Sequence, residues 1–554
     1  MATDRLSDSL RGRISYDGTR TPVKTALFLV VCLAWLLPGL VGHDPWKGDE
    51  AVVFGMVSEI LRTGDWIVLR VADEPFLRSA PLFPWAGAAM AKLAAGWLPT
   101  HDAARLAAGL FMACTIASLS LTAHELMGER AVRVTVLLFI GCLGLLIRAH
   151  EMGTDLAGLA GVALGLYGLA LARRRPWAGG GIAGAGIGIA FLGDGFLPAG
   201  LLAALAAALP FAGPAWRTRG HAIALAVAAL AAAPFIAGWL LALGRVSPEY
   251  LAAWIGHASA SRWSTPGNPL KETLYFAKIL PWYAWPALPL AAWTVWRARR
   301  SLASRLDLRF PLAATVVFFA VLTLLADPRE VNALALLLPL ALLGVAEIDS
   351  LPRGAASALD WFGMTTFFLL AALLWLAWIA AMTGSPEGIA AWIRAEVPGW
   401  RPAFRFVPFA LAALLTLVWL AVAARSLRTT RRALVNWTAG ITMVWMLLMT
   451  LGLPAIDHAR SYRGVAARLI QDLPTGYGCI VGVGLGDAQR ALLYGFAGIR
   501  TLAADHPVAP RCRARLVQAA PGRVPEAGSG WVEAWRGSRP GDRNELFVLY
   551  RRAD

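Results

Sequence analysis

Long apolar stretches separated by short polar breaks dominate the chain. They fall at 24–42, 103–124, 131–147, 154–172, 177–192, 195–212, 221–244, 274–296, 310–326, 331–347, 361–382, 405–424 and 434–453. Most approach the roughly 20 residues a helix needs to cross a bilayer. One further stretch, 81–98, is weaker because Pro81, Pro84 and Lys92 interrupt it. It reads as a helix lying along the interface rather than through the membrane. The runs at 177–192 and 195–212 are rich in Gly and Ala, which suits close helix packing. Beyond 453 the hydropathy drops and the period changes. A helix is expected over 462–473, a strand at 479–483, a helix over 487–496, and short strands near 515–518 and 546–550. The pattern predicts an all-α polytopic membrane domain of about 13 spans over residues 1–454, with a juxtamembrane region at 43–102. A small α/β domain over 455–554 follows.

Composition agrees. The 554 residues are 58% hydrophobic and only 16% charged, whereas soluble domains carry about 25% charged residues. No cleavable leader is expected, because the first residues are polar and basic and the first apolar run has no small-residue cleavage site. The net charge of +16 does not call for nucleic acid, since its arginines gather in a few loops. They cluster at 5–24, 173–175, 217–219, 297–309 and 425–432. Short cytoplasmic loops collect Lys and Arg. All five clusters share one side if 81–98 does not span and every other stretch does. The other side then receives Asp49, Glu50, Asp155, Asp194, the Asp327–Arg329–Glu330 group, the loop 245–273 and the C-terminal domain. Ionisable groups at helix ends in so apolar a chain are costly and often functional, so a shared polar cavity is expected there.

The strongest candidate chemistry in that set is Gly48-Asp49-Glu50, just past the first apolar run and between Trp46 and Trp66. The chain holds 35 acids in all, so an adjacent pair at the membrane surface is notable, although a charged loop would look the same. Cys32, Cys114 and Cys142 lie in apolar runs and read as packing residues. Cys479 and Cys512 lie in the exported domain, where a disulfide is permitted. No CxxC or His-rich spacing marks a metal, and the sequence leaves a divalent cation open. His257 stands in the large outer loop beside Ser259, Ser261 and Arg262 and reads as either a loop residue or a substrate contact. Gly482, Gly484 and Gly486 lack the spacing of a phosphate loop and mark a strand-to-helix turn.

Gly48-Asp49-Glu50, followed by Ser58-Glu59-Ile60-Leu61-Arg62-Thr63-Gly64-Asp65-Trp66-Ile67, resembles the GT-C glycosyltransferases, and within them the aminoarabinose transferase and protein O-mannosyltransferase group. The layout matches over most of the chain, and the first 170 residues carry most of the motifs. The resemblance implies that Asp49 holds the place of the catalytic acid. It implies that Asp155, in Gly153-Thr154-Asp155, holds that of a second acid, and that Glu50 supports Asp49. Asp327-Pro328-Arg329 stands ahead of Leu338-Pro339-Leu340, where the family places a basic residue before its Leu-Pro helix. Two motifs depart. Ser79-Ala80-Pro81-Leu82 replaces the family's Lys-Pro-Pro-Leu, with Arg78 adjacent, and Asp194-Gly195-Phe196 replaces a Lys-Gly-Pro.

The implied activity is transfer of a sugar from polyprenyl phosphate, with inversion, to an acceptor on the periplasmic face of a bacterial inner membrane. The implied acceptor is lipid A, another envelope glycan or a protein. The donor phosphate needs cations near the interface. Arg70, Arg78, Lys278 and Arg329 are the candidates, with Lys271 close to Lys278. Trp46, Trp66 and Trp263 are candidates to pack on the sugar, although Trp is common at membrane interfaces. A transporter would also line such a face with charge, but no internal repeat links the two halves. A scaffold that merely displays the C-terminal domain predicts no role for Asp49 or Asp155.

Overall fold

A computed structural model describes residues 22–260, 274–425, 431–473, 477–525 and 528–553. The basic residues at 5–20, the segment 261–273 with Ser261, Arg262, Trp263 and Lys271, and positions 426–430 lie outside the described residues. The first half comprises α1 (Pro22–Leu36), α2 (Asp49–Thr63), the two-stranded hairpin β1 (Arg70–Val71) and β2 (Glu74–Pro75), α3 (Leu82–Leu93), α4 (Thr100–Met127), α5 (Glu129–Ile140), α6 (Thr154–Ala172), α7 (Pro176–Asp194), α8 (Phe196–Ala212), α9 (Arg219–Val246) and α10 (Pro248–Ala260). The second half of the bundle comprises α11 (Tyr275–Tyr283), α12 (Ala287–Ala298), α13 (Leu306–Leu325), α14 (Leu334–Ala346), α15 (Arg353–Thr383), α16 (Glu387–Glu396), α17 (Phe406–Arg425), α18 (Arg432–Leu447), α19 (Leu453–Arg460) and α20 (Arg463–Asp472).

Every apolar stretch read from the sequence contains a helix, although 24–42 is helical only to Leu36 and 131–147 breaks after Ile140. Eight helical runs are long and apolar enough to cross a membrane, or nine if the bent pair Glu129–Ile140 and Leu143–His150 is one span. The chain is therefore a multi-pass membrane protein. Among the described residues, length alone supports fewer crossings than the thirteen expected, because several helices are short. α1 and α8 fall below 18 residues, and Pro286 divides the stretch 274–296 into α11 and α12. The stretch 81–98 yields only α3, whose 12 residues span about 18 Å, too short to cross. It packs against α2 and α4.

Small residues set the closest packing. α6 and α7 lie against each other along most of their length. A Cβ on Gly161 or Gly168 would collide with the backbone of Ala190 or Ala183 on α7. At one end of this contact a Cβ on Gly158 would meet the Asp194 Cβ at 2.9 Å. The glycine stripe thus draws the start of α6, with Asp155, onto the end of α7, with Asp194.

The C-terminal domain folds as expected, with two further strands. Its five strands are β3 (Ile480–Val483), β4 (Thr501–Ala503), β5 (Ala514–Ala519), β6 (Trp531–Gly537) and β7 (Leu546–Arg552), in the order β4-β3-β5-β7-β6. β3 pairs in parallel with β4 and β5, and β7 pairs antiparallel with β5 and β6. The glycines after β3 form a plain turn into α21 (Asp487–Ala497). Cys479 and Cys512, each just ahead of one of two neighbouring parallel strands, form a disulfide with Cα atoms 5.0 Å apart. The domain sits on α2. Phe54 meets Phe496 at 6.2 Å, Arg490 pairs with Glu74 at 2.7 Å, and Lys47 pairs with Glu545 at 3.0 Å.

Candidate active site

Asp49 and Glu50 open α2, where the helix dipole favours carboxylates. Adjacent residues on a helix project about 100° apart, so the two acids face different surroundings. Glu50 turns inward. It takes a 2.7 Å hydrogen bond from Arg105 Nε and one of 3.1 Å from the Trp46 backbone N–H. Arg105, on α4, is fully buried and also donates to Asp102, to the Leu40 carbonyl and to the His43 carbonyl. Burial alone would raise the Glu50 carboxyl, but the charges of Arg105 and His43 and the hydrogen bonds from Arg105 and Trp46 outweigh it, so Glu50 is held below the usual range. Glu50 is thus a strut beside Asp49, the supporting place the resemblance implied for it. Both of its oxygens are committed to holding the 40–50 loop on α4.

Asp49 turns outward. Arg329 Nη2 lies 3.4 and 3.2 Å from its two oxygens, and Arg148 Nη1 lies 3.5 Å away. Arg148 also reaches Glu330 at 3.4 Å and Glu151 at 3.5 Å. Three chain segments thus meet at one carboxylate. Arg329 was expected from the sequence, whereas Arg148 and Glu151 were not. The apolar run at 131–147 reads as a straight span, but the chain bends by 64° after α5. A turn over Leu143–His150 then lays Arg148 against Asp49. His150 sits in this turn with its ring nitrogens 2.6 and 2.8 Å from the carbonyls of Leu146 and Trp35, and its one N–H donates to one of them. The polar run Arg148-Ala149-His150-Glu151 after apolar sequence was the available signal. Glu151 is pushed up to about 7 by burial and by the neighbouring charges of Glu50, Asp155 and Asp49, against the pull of Arg148.

Asp155 begins α6 beside this cluster, within electrostatic reach of Arg148, Asp49 and Arg329. Its Oδ2 is buried without a hydrogen-bond partner among the described residues. Asp155, Asp194 and Asn332 line a cavity of about 30 Å³. That volume suits a water molecule rather than a sugar. Thr154 donates to Asp194 at 3.2 Å. The expected convergence of Asp49, Asp155, Asp194 and the 327–330 group is present in the fold, because the α6–α7 glycines and the Arg148 turn bring them to one end of the bundle.

The remaining candidates sit elsewhere. Arg70 donates to the Asp73 carbonyl at 3.2 Å, closing the β1–β2 turn. Arg78 is exposed and makes no ion pair among the described residues. Its segment is clamped to α10, where Tyr250 donates to the Phe76 carbonyl at 2.6 Å and Trp254 to the Ser79 carbonyl at 3.0 Å. His257, also on α10, and Lys278, on α11, are exposed and contact none of the Asp49 group. Trp46 is a correction. Its indole N–H donates to Asp457 at 3.0 Å and Arg460 stacks on its ring at 5.1 Å, so it is engaged away from Asp49. No group of three His, Cys, Asp or Glu among the described residues is arranged to hold a metal ion.

ArnT from Cupriavidus metallidurans bound to undecaprenyl phosphate superimposes on the chain with a TM-score of 0.70 at 15% identity, covering 96% of this chain and 98% of that one. The chain has the GT-C fold. The apo form of the same protein gives a TM-score of 0.64 at 16% identity, covering 95% and 98%. A family model described as dolichyl-phosphate-mannose-protein mannosyltransferase matches residues 73–239, from the hairpin through most of α9. No curated protein sequence matches the chain. Within the GT-C fold, the 12-residue α3 and the sheet domain frame α2 and so position Asp49.

Proposed function

We propose that this chain is an integral membrane glycosyltransferase that moves a sugar from a polyprenyl-phosphate carrier to an acceptor on the periplasmic face of a bacterial inner membrane. The observation that carries the reading is the meeting of Asp49 with Arg148 and Arg329, beside the unpartnered oxygen of Asp155. The solved ArnT structure with undecaprenyl phosphate supports a carrier of that class. The Asp49 ion pairs are partly exposed and 3.2–3.5 Å long. Such pairs hold by no more than about 1 kcal/mol each. An arriving phosphate, which takes guanidinium bidentately, displaces the carboxylate from its arginines.

Freed in this way, Asp49 acts on the acceptor. A hydroxyl acceptor gives its proton to Asp49 as its oxygen attacks the anomeric carbon from the face opposite the phosphate. The bond from that carbon to the phosphate oxygen breaks, and polyprenyl phosphate leaves with its charge held by Arg148 and Arg329. An acceptor phosphate needs no base, and Asp49 then orients it. The buried Asp155 oxygen, in a cavity sized for one water, reaches a sugar hydroxyl through that water. Lipid A is the leading acceptor, as the resemblance to the aminoarabinose transferases implies. A protein is the second, because the description of the matching family model names one.

The test is mass spectrometry of lipid A, total glycolipids and envelope glycoproteins in strains with and without the gene. It is paired with purified Asp49→Asn protein assayed for carrier binding and transfer. We expect binding to persist and transfer to fall by about 10²–10⁴. Full transfer by Asp49→Asn sinks the reading. An unchanged lipid A moves the acceptor to the other two classes.

A further inference from the structure

A second cavity, of about 660 Å³, opens where α17, α19 and α20 meet the sheet domain, and its chemistry differs from that of the Asp49 cluster. Three arginines, Arg405, Arg463 and Arg468, line it with His458, against two acids, Asp44 and Asp457. Both acids are already committed. Asp44 accepts from Arg463 Nε at 3.0 Å and from Ser461 at 2.6 Å. Asp457 accepts from the Asp44 backbone N–H and the Trp46 indole, each at 3.0 Å. Burial would lift the Asp44 carboxyl, but Arg463, Ser461 and His101 together hold it below its usual range, so it keeps its charge and keeps Arg463. Arg405 and Arg468 have no carboxylate partner among the described residues. Three arginines against two carboxylates leave the cavity one positive charge in surplus.

The lining also carries apolar residues: Pro408, Met449, Leu453 and Pro454. Met449 and Thr450 belong to a π-bulge over Leu448–Gly452, a local break in helical regularity that is common at functional sites. Below the cavity α17 runs into the bilayer with Val407, Leu411 and Leu414 exposed along it. Arginines and apolar side chains in one cavity, with a bare apolar helix leading from it, match an amphiphile whose head is an anion and whose chains lie in the membrane.

We propose that this cavity binds the phosphate headgroup of a membrane lipid from the leaflet on the sheet-domain side, with Arg405 and Arg468 on the phosphate and the acyl chains along α17. The occupant is a phospholipid-class anion, and the site is separate from the Asp49 cluster. The two are joined by a short path, since Asp457 bonds Trp46 and the Trp46 backbone bonds Glu50, the neighbour of Asp49.

The test uses purified full-length protein in phosphatidylcholine nanodiscs with and without phosphatidylglycerol, read by native mass spectrometry of retained lipid. We expect wild-type protein to retain phosphatidylglycerol over phosphatidylcholine. The double variant Arg405→Ala/Arg468→Ala should lose about tenfold of that preference, the size of one or two charge-assisted hydrogen bonds. Arg353→Ala, remote from the cavity, should leave it unchanged. Inorganic phosphate should fail to displace the lipid, because the chains contribute to binding. Equal retention by wild type and double variant overturns the proposal, as does full displacement by inorganic phosphate, which would make this a site for a free anion. Circular dichroism of the double variant separates loss of the site from loss of the fold. Lipid retention is read without any transfer assay, so this inference and the glycosyltransferase reading fail separately.

Discussion

At the residue scale, two adjacent carboxylates do different jobs because a helix turns them apart. Asp49 meets the exposed Arg329 and the half-buried Arg148, while Glu50 meets the fully buried Arg105. Glu151 adds a pH response. Its ordinary value is 4.5 and in the fold it is pushed up to about 7, first by burial. It therefore stays protonated in neutral solution longer than a free glutamate. The sign follows: its contribution to folding is fully present below 4.5 and is lost as pH rises through about 7. Under the proposed function, an ionised Glu151 competes for Arg148 and adds negative charge where the donor phosphate would bind. Carrier affinity should fall as pH rises through about 7, and Glu151→Gln should flatten that step in a carrier-binding titration. A step that persists in Glu151→Gln assigns the titration to another group.

At the element scale, the site depends on two devices that hold helices in place. The first is the buried Arg105, which ties α4 to Glu50, Asp102 and the carbonyls of the 40–50 loop. Removing one partner of a buried ion pair costs about 3–5 kcal/mol, because the other charge is left unpaired. Arg105→Ala should lower the unfolding free energy in detergent by about that amount, read as an earlier midpoint, and should lower transfer even where the protein still folds. The second device is the glycine stripe of α6. Gly161→Val would drive its side chain into the backbone of Ala190 and part the helices that carry Asp155 and Asp194. At Gly181, nothing lies within 4 Å of an added Cβ. Thermal melts should show a large loss for Gly161→Val and none for Gly181→Ala; equal melts would remove the stripe from the account.

At the scale of the whole molecule, the sheet domain rests on α2 and so bears on Asp49 from some 440 residues away in sequence. Its disulfide closes a loop between Cys479 and Cys512, 33 residues apart. Loss of such a link costs about 2–4 kcal/mol. Cys479→Ser/Cys512→Ser should unfold the domain earlier in denaturant, with the bundle little changed, and reductant should reproduce the shift in wild type. The apolar runs made the helices legible, since only a helix satisfies the backbone in lipid. The same physics made α3 legible as a helix too short and too interrupted to cross. The Asp-Glu pair, Asp155 and Arg329 stood at helix ends and could be named in advance. Arg148 and Glu151 could not, because their place depends on the 64° bend after α5, and an apolar pattern carries no bend. Trp46 was misread for a similar reason: its partners, Asp457 and Arg460, lie over 400 residues away. The sequence by itself determined the membrane class, the helices, the small α/β domain and the acids at the helix ends, because hydropathy and local period act over short distances. Tertiary structure alone decided which acid is free, which arginines meet it and where a second cationic cavity opens, because burial and pairing arise only when distant segments pack.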